Sequence, residues 1–206
     1  MPTGTIQQTA TVGGLSAQST VTRTASTQIG HESDPVLPVA KVGTLSTRTS
    51  DTAGTLTLAT GHGITDGQLV DIFWIDVDGV CHCAYGATVG EVAGDDVPFT
   101  GASGDVLPDE AYAITASVPV TADIDFDGDL LEMIVALATY LGHVTFLDVG
   151  DAVLAAVTLI PGEGWSWISE QGIANPLAGN PVAYARTSNG DSAYTNTVKI
   201  GALYNG

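Results

Sequence analysis

Short runs in which apolar and polar residues alternate follow one another from Val42 onward, and this pattern predicts β-strands. The runs are rich in threonine, valine, isoleucine and aromatic residues, which favour a pleated, half-buried surface. Glycine, aspartate and serine fill the segments between them. Closely spaced strands without a convincing helix between them indicate an all-β fold. The predicted strands are "VGTLSTRTS", "GTLTLATG", "QLVDIFWID", "VCHCAYGATVGEVAG", "YAITASVPV", "HVTFLDV", "AVLAAVTLIPG", "GWSWIS", "PVAYART" and "TNTVKIGALY".

Two turns in this pattern are predicted to close tight hairpins. Residues 76–79 read "DVDG" and residues 188–191 read "SNGD", and both stretches combine aspartate or asparagine with glycine. These residues adopt the left-handed backbone that short hairpin loops require. Each turn is therefore expected to join two neighbouring strands of one sheet.

The segment "DLLEMIVALATYLG", residues 129–142, fits two different structures. As a helix it would begin at Asp129, close a capping box with Glu132 and end at Gly142. As a strand it would turn alternate residues from Leu131 to Leu137 to one face. Local signals favour the helix, whereas the all-β surroundings favour a strand buried on both faces. We interpret the segment as a strand, and the helix stays the open alternative.

Residues 1–40 differ in character from the rest of the chain. They are rich in threonine, serine, glutamine and glycine and show no strong amphipathic period, although "TATV" and "STVTRTA" read as short strands. Two prolines, Pro35 and Pro38, follow near the end of the segment. The sequence therefore predicts an extended N-terminal arm and linker at 1–40, followed by two small β domains: a β-barrel-like domain at 41–121 and a β-sandwich domain at 122–206.

The charge of the chain narrows its possible partners. Among 206 residues there are 23 Asp and Glu but only 5 Lys and Arg, giving a formal net charge of -18. Phosphate recognition needs clustered cations, so nucleic acid is excluded as a partner, and an anionic membrane surface would repel the chain. No apolar run reaches the roughly 18 residues of a membrane span, and the first residues lack a secretory pattern. We expect synthesis in the cytoplasm and partners that are proteins, cations or neutral glycans.

An acidic stretch at residues 122–132, "ADIDFDGDLLE", is the best candidate for binding a metal. Asp123, Asp125 and Asp127 take the first, third and fifth positions of a calcium loop, and a glycine follows at the sixth. The twelfth position, which needs a bidentate glutamate, is Ile134. Strand alternation explains the same spacing by turning the three acids to solvent. This interpretation is favoured, and a weak calcium site is the alternative; no other cofactor is expected.

Candidate catalytic chemistry is sparse. In "VCHCAYG" a strand would place His82 on the face opposite Cys81 and Cys83, which disfavours a zinc site and favours free, buried thiols. The four histidines are scattered, and no nucleophile elbow, metalloprotease pair or phosphate-binding loop occurs. We therefore expect that the protein is not an enzyme.

Two tryptophans in "GEGWSWIS" are the candidate binding residues. Trp165 and Trp167 would share one face of a strand. A tryptophan pair can fill a core, anchor a protein interface or stack on a sugar ring. Core or interface is the favoured interpretation, and glycan binding is the alternative.

Two longer stretches carry a resemblance. "VLPVAKVGTLSTRTSDTAGTLTLATGHGITDGQLVDIFW" and "NPLAGNPVAYARTSNGDSAYTNTVKIGALYNG" resemble segments of uncharacterised bacteriophage and prophage virion structural proteins. The resemblance lies in the residues of these segments and in their order along the chain. It involves no catalytic motif, so no site residue is carried over from it. A threonine-rich arm before a β domain also looks like the architecture of capsid decoration and minor capsid proteins.

The resemblance implies a non-enzymatic virion component of the capsid decoration (cement) or minor capsid type. Its partners would be the major capsid protein or other virion subunits, bound through the arm and the β domains, and self-association as a trimer or higher ring is expected. It would be made in the host cytoplasm and reside in the virion. The alternatives are a glycan-binding module of a phage tail or fibre using Trp165 and Trp167, and a tail tube or connector subunit.

Overall fold

The computed structural model describes residues 6–12, 15–21, 28–122, 130–162, 164–168 and 182–205. The prediction of an all-β fold is confirmed, because these residues form strands and connecting turns without an α-helix. Accordingly, the described residues include no helix long and apolar enough to cross a membrane. The strands, in chain order, are β1 Ile6–Val12, β2 Leu15–Val21, β3 Gln28–Ser33, β4 Val36–Leu37, β5 Lys41–Ser50, β6 Ala53–Leu58, β7 Leu69–Ile75, β8 Cys81–Val89, β9 Asp96–Thr100, β10 Ser103–Gly104, β11 Ala113–Ser117, β12 Val120–Ala122, β13 Leu130–Ala138, β14 Gly142–Leu147, β15 Val153–Leu159, β16 Gly164–Ile168, β17 Tyr184–Asn189 and β18 Asn196–Asn205.

Six antiparallel strands close into a barrel. They follow the order β8-β7-β11-β5-β6-β9, and β9 pairs back onto β8, while the short β10 pairs with β8 on the same edge as β9. Register shifts in β5, between Leu45 and Thr47 and again between Arg48 and Ser50, supply the local bending that a closed sheet needs. Alternate apolar residues of these strands fill the interior, including Leu45, Leu56, Val70, Ile72 and Phe99.

The remaining sheets form a sandwich. A four-stranded sheet, β12-β17-β14-β15, faces a five-stranded sheet, β16-β13-β18-β3, and β4 pairs with one end of β18. One hydrophobic core joins the two sheets, with Val144 and Phe146 from the first packing among Ala136, Val198 and Ile200 from the second. This arrangement is the usual way for two antiparallel sheets to bury their inner faces.

The ambiguous segment after residue 129 is a strand. β13 pairs with β18 along Leu130–Ala138 and with β16 on its other side. The strand interpretation is thus confirmed, and the glycine that would have ended a helix, Gly142, begins β14 instead. The expectation that the strand is buried on both faces is wrong, because Leu137 is 45% exposed. Two neighbouring strands supply hydrogen-bond partners for the backbone of β13, and this pairing outweighs the local helix signals. Tertiary contacts commonly override local propensity in this way.

Residues of the predicted arm enter two different sheets. β1 and β2 form an antiparallel hairpin in which Ile6 pairs with Val21 and Val12 with Leu15. β3 instead pairs with β18 at the edge of the five-stranded sheet. The predicted strand "TATV" lies within β1, and "STVTRTA" overlaps β2 as far as Val21. The proposed domain boundaries stay predictions.

Of the two predicted hairpins, one is confirmed and one is wrong. Residues 76–79 belong to the turn that joins the antiparallel pair β7 and β8. Residues 188–191, by contrast, lead from β17 in one sheet to β18 in the other. The amide of Asn189 explains the difference, because its Nδ2 donates to the carbonyl oxygens of Pro38 and Tyr194, both at 2.9 Å. The side chain directs the chain across the sandwich.

The four-stranded sheet lies between the five-stranded sheet and the barrel. All six residues of β14 are buried. Val144 and Phe146 face the sandwich core, while the ring of His143 stacks on Tyr85 of β8 with centroids 4.6 Å apart. The fold is therefore three-layered around β14, with the barrel supplying the third layer.

Candidate functional site

A seam of polar contacts joins the barrel to the sandwich, between β7, β8 and β11 on one side and β14 and β17 on the other. Ser117 Oγ donates to the carbonyl oxygen of Asn189 at 2.5 Å, and Thr115 Oγ1 donates to that of Gly190 at 2.8 Å. A Cβ atom at Gly190 would lie 2.9 Å from Phe73 Cδ1, so this glycine permits the close approach of the two halves. The seam is closely packed and hydrogen-bonded.

Asp71 of β7 is the buried acid at the centre of the seam. Only 3% of the residue is exposed. Its Oδ1 accepts a hydrogen bond from the Gly86 N–H at 2.7 Å, and its Oδ2 accepts one from Ser188 Oγ at 2.5 Å. Burial raises the pKa of Asp71 from 3.8 to about 6, and these bonds and the Arg186 charge oppose the rise only in part. The carboxyl therefore titrates near neutral pH.

Ser188 does not belong to a nucleophile–base pair of the acyl-transfer type. In such a pair the hydroxyl contacts an imidazole, which the carboxylate orients from the far side. Here Ser188 donates directly to Asp71. His143, its cross-strand neighbour, places Nδ1 3.2 Å from Thr158 Oγ1, and burial lowers its pKa to about 3. A neutral, enclosed imidazole of this kind supports packing of the seam.

A small cleft opens beside Asp71, and we call it the seam cleft. Its volume is about 170 Å³. Arg186 of β17 forms part of its wall, where Nη2 donates to Tyr184 Oη at 2.8 Å and lies 3.7 Å from Asp151 Oδ1. Tyr184 in turn donates to Asp151. The lining residues are Leu69, Asp71, Tyr85, Gly86, Ser103, Pro119, Thr145, Leu147, Asp151, Val153 and Arg186.

A second polar cluster surrounds His82 at the end of the barrel. His82 Nε2 lies 3.1 Å from Asp76 Oδ2, its Nδ1 lies 3.3 Å from Asp105 Oδ2, and its ring stacks on Trp74. The hydrogen bond with Asp76 raises the pKa of His82 above its ordinary value. The protonated ring can donate to both carboxylates, so this cluster fastens the β7–β8 turn to the segment that follows β10.

The two cysteines lie on β8 and are free thiols. Cys83 is buried, and burial raises the pKa of its thiol well above 9.0. Cys81 is only partly buried, and its pKa is also raised by desolvation. Thiols that stay protonated at neutral pH are poor nucleophiles and poor metal ligands.

The predicted binding residues do not meet at the seam. Trp165 is half-buried on β16, and its ring stacks on Phe146 in the sandwich core, with centroids 5.4 Å apart. Trp167 pairs with Ile134 of β13, and its side chain is outside the described part of the chain. The calcium candidates Asp123, Asp125 and Asp127 also lie outside the described residues.

Sequence reasoning missed Asp71, Ser188 and Arg186 as members of one site. One signal was present, because Asp71 interrupts the apolar run "LVDIFWI", and a charged residue within a buried strand needs partners. Its partner Ser188 is 117 residues away along the chain, and no local pattern links the two.

Two hairpin turns have the same hydrogen-bond pattern, and each exposes a valine. In the turns at 76–80 and 148–152 the first aspartate accepts hydrogen bonds from the N–H groups two and four residues later, at 2.8 to 2.9 Å. Val77 is 92% exposed and Val149 is 83% exposed. The aspartates thus hold rigid turns whose tips are apolar.

Comparison with protein-family models, curated proteins and solved structures finds no match to any of them.

Proposed function

We propose that the chain is a non-enzymatic virion structural protein of the capsid decoration or minor capsid type. It binds neighbouring subunits through the β1–β2 hairpin and through apolar tips on a rigid, acidic body. The observation that carries this proposal is the hairpin. Among the described strands, β1 and β2 hydrogen-bond only to each other.

An isolated two-stranded hairpin is marginally stable in water, because it lacks a second layer over either face. The β1–β2 hairpin reads "IQQTATV" and "LSAQSTV", which combines apolar residues with threonine and glutamine and carries no charge. A protein surface that pairs with or covers this hairpin would supply a second layer. An uncharged strand edge of this kind is suited to pairing with another chain.

The body also carries features that suit association more than catalysis. The described polar groups of the seam mostly serve one another, as in the Ser117 and Thr115 bonds to the sandwich backbone. Large apolar side chains stand exposed instead at turns, with Val77 and Val149 the most prominent. The net charge of -18 keeps such a surface soluble and favours a partner with cationic patches.

Deleting residues 1–27 should abolish association with virus particles and leave the body folded. This boundary retains β3 and β4, which pair with β18 and support the sandwich. The measurement is co-sedimentation of the purified chain with particles of the encoding virus that lack it. Urea unfolding of the full and the shortened chain, followed by tryptophan fluorescence, checks that the body is intact.

A full-length variant with Ala10→Pro and Ala17→Pro is the matched control for this deletion. Ala10 pairs with Ala17 in the hairpin, and two prolines remove backbone donors without shortening the chain. Loss of particle binding in both variants supports a role for the paired hairpin. Full binding by the shortened chain would contradict it. The copy number per particle separates decoration from a connector role, since a connector forms a single small ring.

A further inference from the structure

We propose that the seam cleft binds a primary ammonium group on an aliphatic stem, with the carboxylate of Asp71 as its anionic partner. The cleft lies at the join of the barrel and the sandwich, where both halves contribute to its wall. The hydrogen bonds of the seam form without such a ligand. Three properties of the cleft point to it: an incompletely compensated acid, a partly apolar wall and a small volume.

The first property is the state of Asp71. Its two hydrogen bonds come from neutral donors, the Gly86 N–H and the Ser188 hydroxyl. Arg186 is the cation in the cleft wall, but its described hydrogen bond goes to Tyr184 and its closest carboxylate is Asp151 at 3.7 Å. A buried carboxylate is costly unless a cation compensates its charge. Each oxygen of Asp71 retains a lone pair for a further donor.

The second property is the wall of the cleft. Apolar side chains from both halves line it, so that the methylene groups of a ligand would be desolvated there. The side chain of Tyr85, whose ring stacks on His143, also lines the cleft. These apolar lining residues are Leu69, Pro119, Leu147 and Val153.

The third property is size. The volume of about 170 Å³ is below the roughly 300–1,000 Å³ of pockets that hold drug-sized ligands. A single ammonium-bearing stem suits this space better than a sugar or a nucleotide. An ammonium is also a compact donor with three N–H groups, whereas a guanidinium is a larger planar group.

Two sources share this chemistry. One is a free alkylamine, and the other is a lysine side chain of a neighbouring protein subunit. The second source rests on the proposed structural function, while the cleft and its acid do not depend on it. A lysine inserted from a partner would anchor that partner beside the barrel–sandwich join.

Binding requires the ionised form of Asp71, so it should weaken as the pH falls through about 6. The neighbouring groups leave this expectation intact, since the pKa of Tyr85 is raised and that of His143 is lowered, which keeps both neutral across this range. The titratable and charged groups around Asp71 are Cys83 and Tyr85 on β8, His143 on β14, Arg186 on β17 and Asp151 in the turn between β14 and β15.

The test titrates the full chain with n-butylammonium at pH 7.5 and follows the amide resonance of Gly86, whose N–H donates to Asp71. We expect a saturable shift with n-butylammonium and none with n-butanol, its neutral analogue. Lowering the pH to 5 should weaken the binding at least about tenfold. The Asp71→Asn variant should show the same loss at pH 7.5, while Asp105→Asn, which alters an acid of the His82 cluster, should bind as the native chain does.

Each outcome decides the matter. Equal shifts with n-butanol, or binding that neither Asp71→Asn nor low pH weakens, would overturn the ammonium site. Nα-acetyl-lysine methylamide separates the two sources. If it binds as well as n-butylammonium, a lysine of a partner can reach the cleft, and if it does not bind, the ligand is a free amine. Since these measurements use no particles, their failure is distinct from a failure of the deletion experiment.

Discussion

Replacing Gly54 with alanine should destabilise the protein by about 3 kcal/mol, because the added methyl group has no room. A Cβ atom at this position would lie 2.3 Å from the carbonyl oxygen of Thr47, on the neighbouring strand β5. The obstacle is backbone held in a ladder, so a rotamer change cannot relieve the clash. The measurement is the urea unfolding midpoint and slope, followed by tryptophan fluorescence.

Gly201 on β18 provides the matched control. Within the part of the chain that the structure describes, a Cβ atom there would meet no atom within 4 Å, and the residue is also within a strand. Gly201→Ala should be neutral or slightly stabilising, since alanine has fewer unfolded conformations than glycine. Similar losses for both variants would show that glycine is needed in these strands generally and that the close approach of β5 and β6 at Gly54 is not the cause.

In the native chain, ionisation of Asp71 should lower the free energy of unfolding by about 3 kcal/mol in total as the pH rises. Replacing Asp71 with asparagine should remove this loss. The folded-state pKa of Asp71, about 6, exceeds its ordinary value of 3.8. Between these values the folded protein holds a proton that the unfolded chain releases, so the native acid loses stability as the pH rises. Asparagine can accept from Gly86 and donate to Ser188 without a charge. Between pH 4.5 and 7.5 the variant should gain about 2 kcal/mol of unfolding free energy relative to the native chain.

The comparison should be made as the difference between the native chain and the variant at each pH, because many other carboxylates titrate in the same range. Asp76→Asn is a control of opposite sign. The hydrogen bond from His82 lowers the pKa of Asp76, so this acid contributes stability that is present above 3.8 and lost as the pH falls below that value. A difference between native and Asp71→Asn stability that does not vary with pH would show that Asp71 stays in one protonation state in the folded protein.

Strand positions were largely predictable because alternation and turn residues are local properties of the chain. The turn after Ile75 is an example, since Asp76 accepts hydrogen bonds from the N–H groups of Asp78 and Val80 within the turn itself. The prediction of a hairpin at Ser188–Asp191 was wrong because the hydrogen-bond partners of Asn189 include Pro38, which lies 151 residues earlier in the chain. Turn residues mark a change of direction, but distant contacts decide which sheet receives the next strand.

The candidate site was much less predictable than the fold. Trp165 packs on Phe146 in the sandwich core, which is one of the interpretations that the sequence favoured for the tryptophan pair. In the sequence, Asp71 and Arg186 each look like ordinary strand residues. They line one cleft only because β17 packs against the barrel. Only the three-layer arrangement turns a single acid in an apolar run into a buried carboxylate beside a cleft, and hydrophobic periodicity does not encode which layers meet.

The double coverage of β14 has a consequence for how such a chain can evolve. Because His143 faces the barrel and Phe146 faces the sandwich core, the barrel and the sandwich share a wall. Neither could be transplanted into an unrelated protein without leaving that wall bare. Substitutions in β14 should therefore be limited by both halves at once, because a change on either face meets closely packed neighbours.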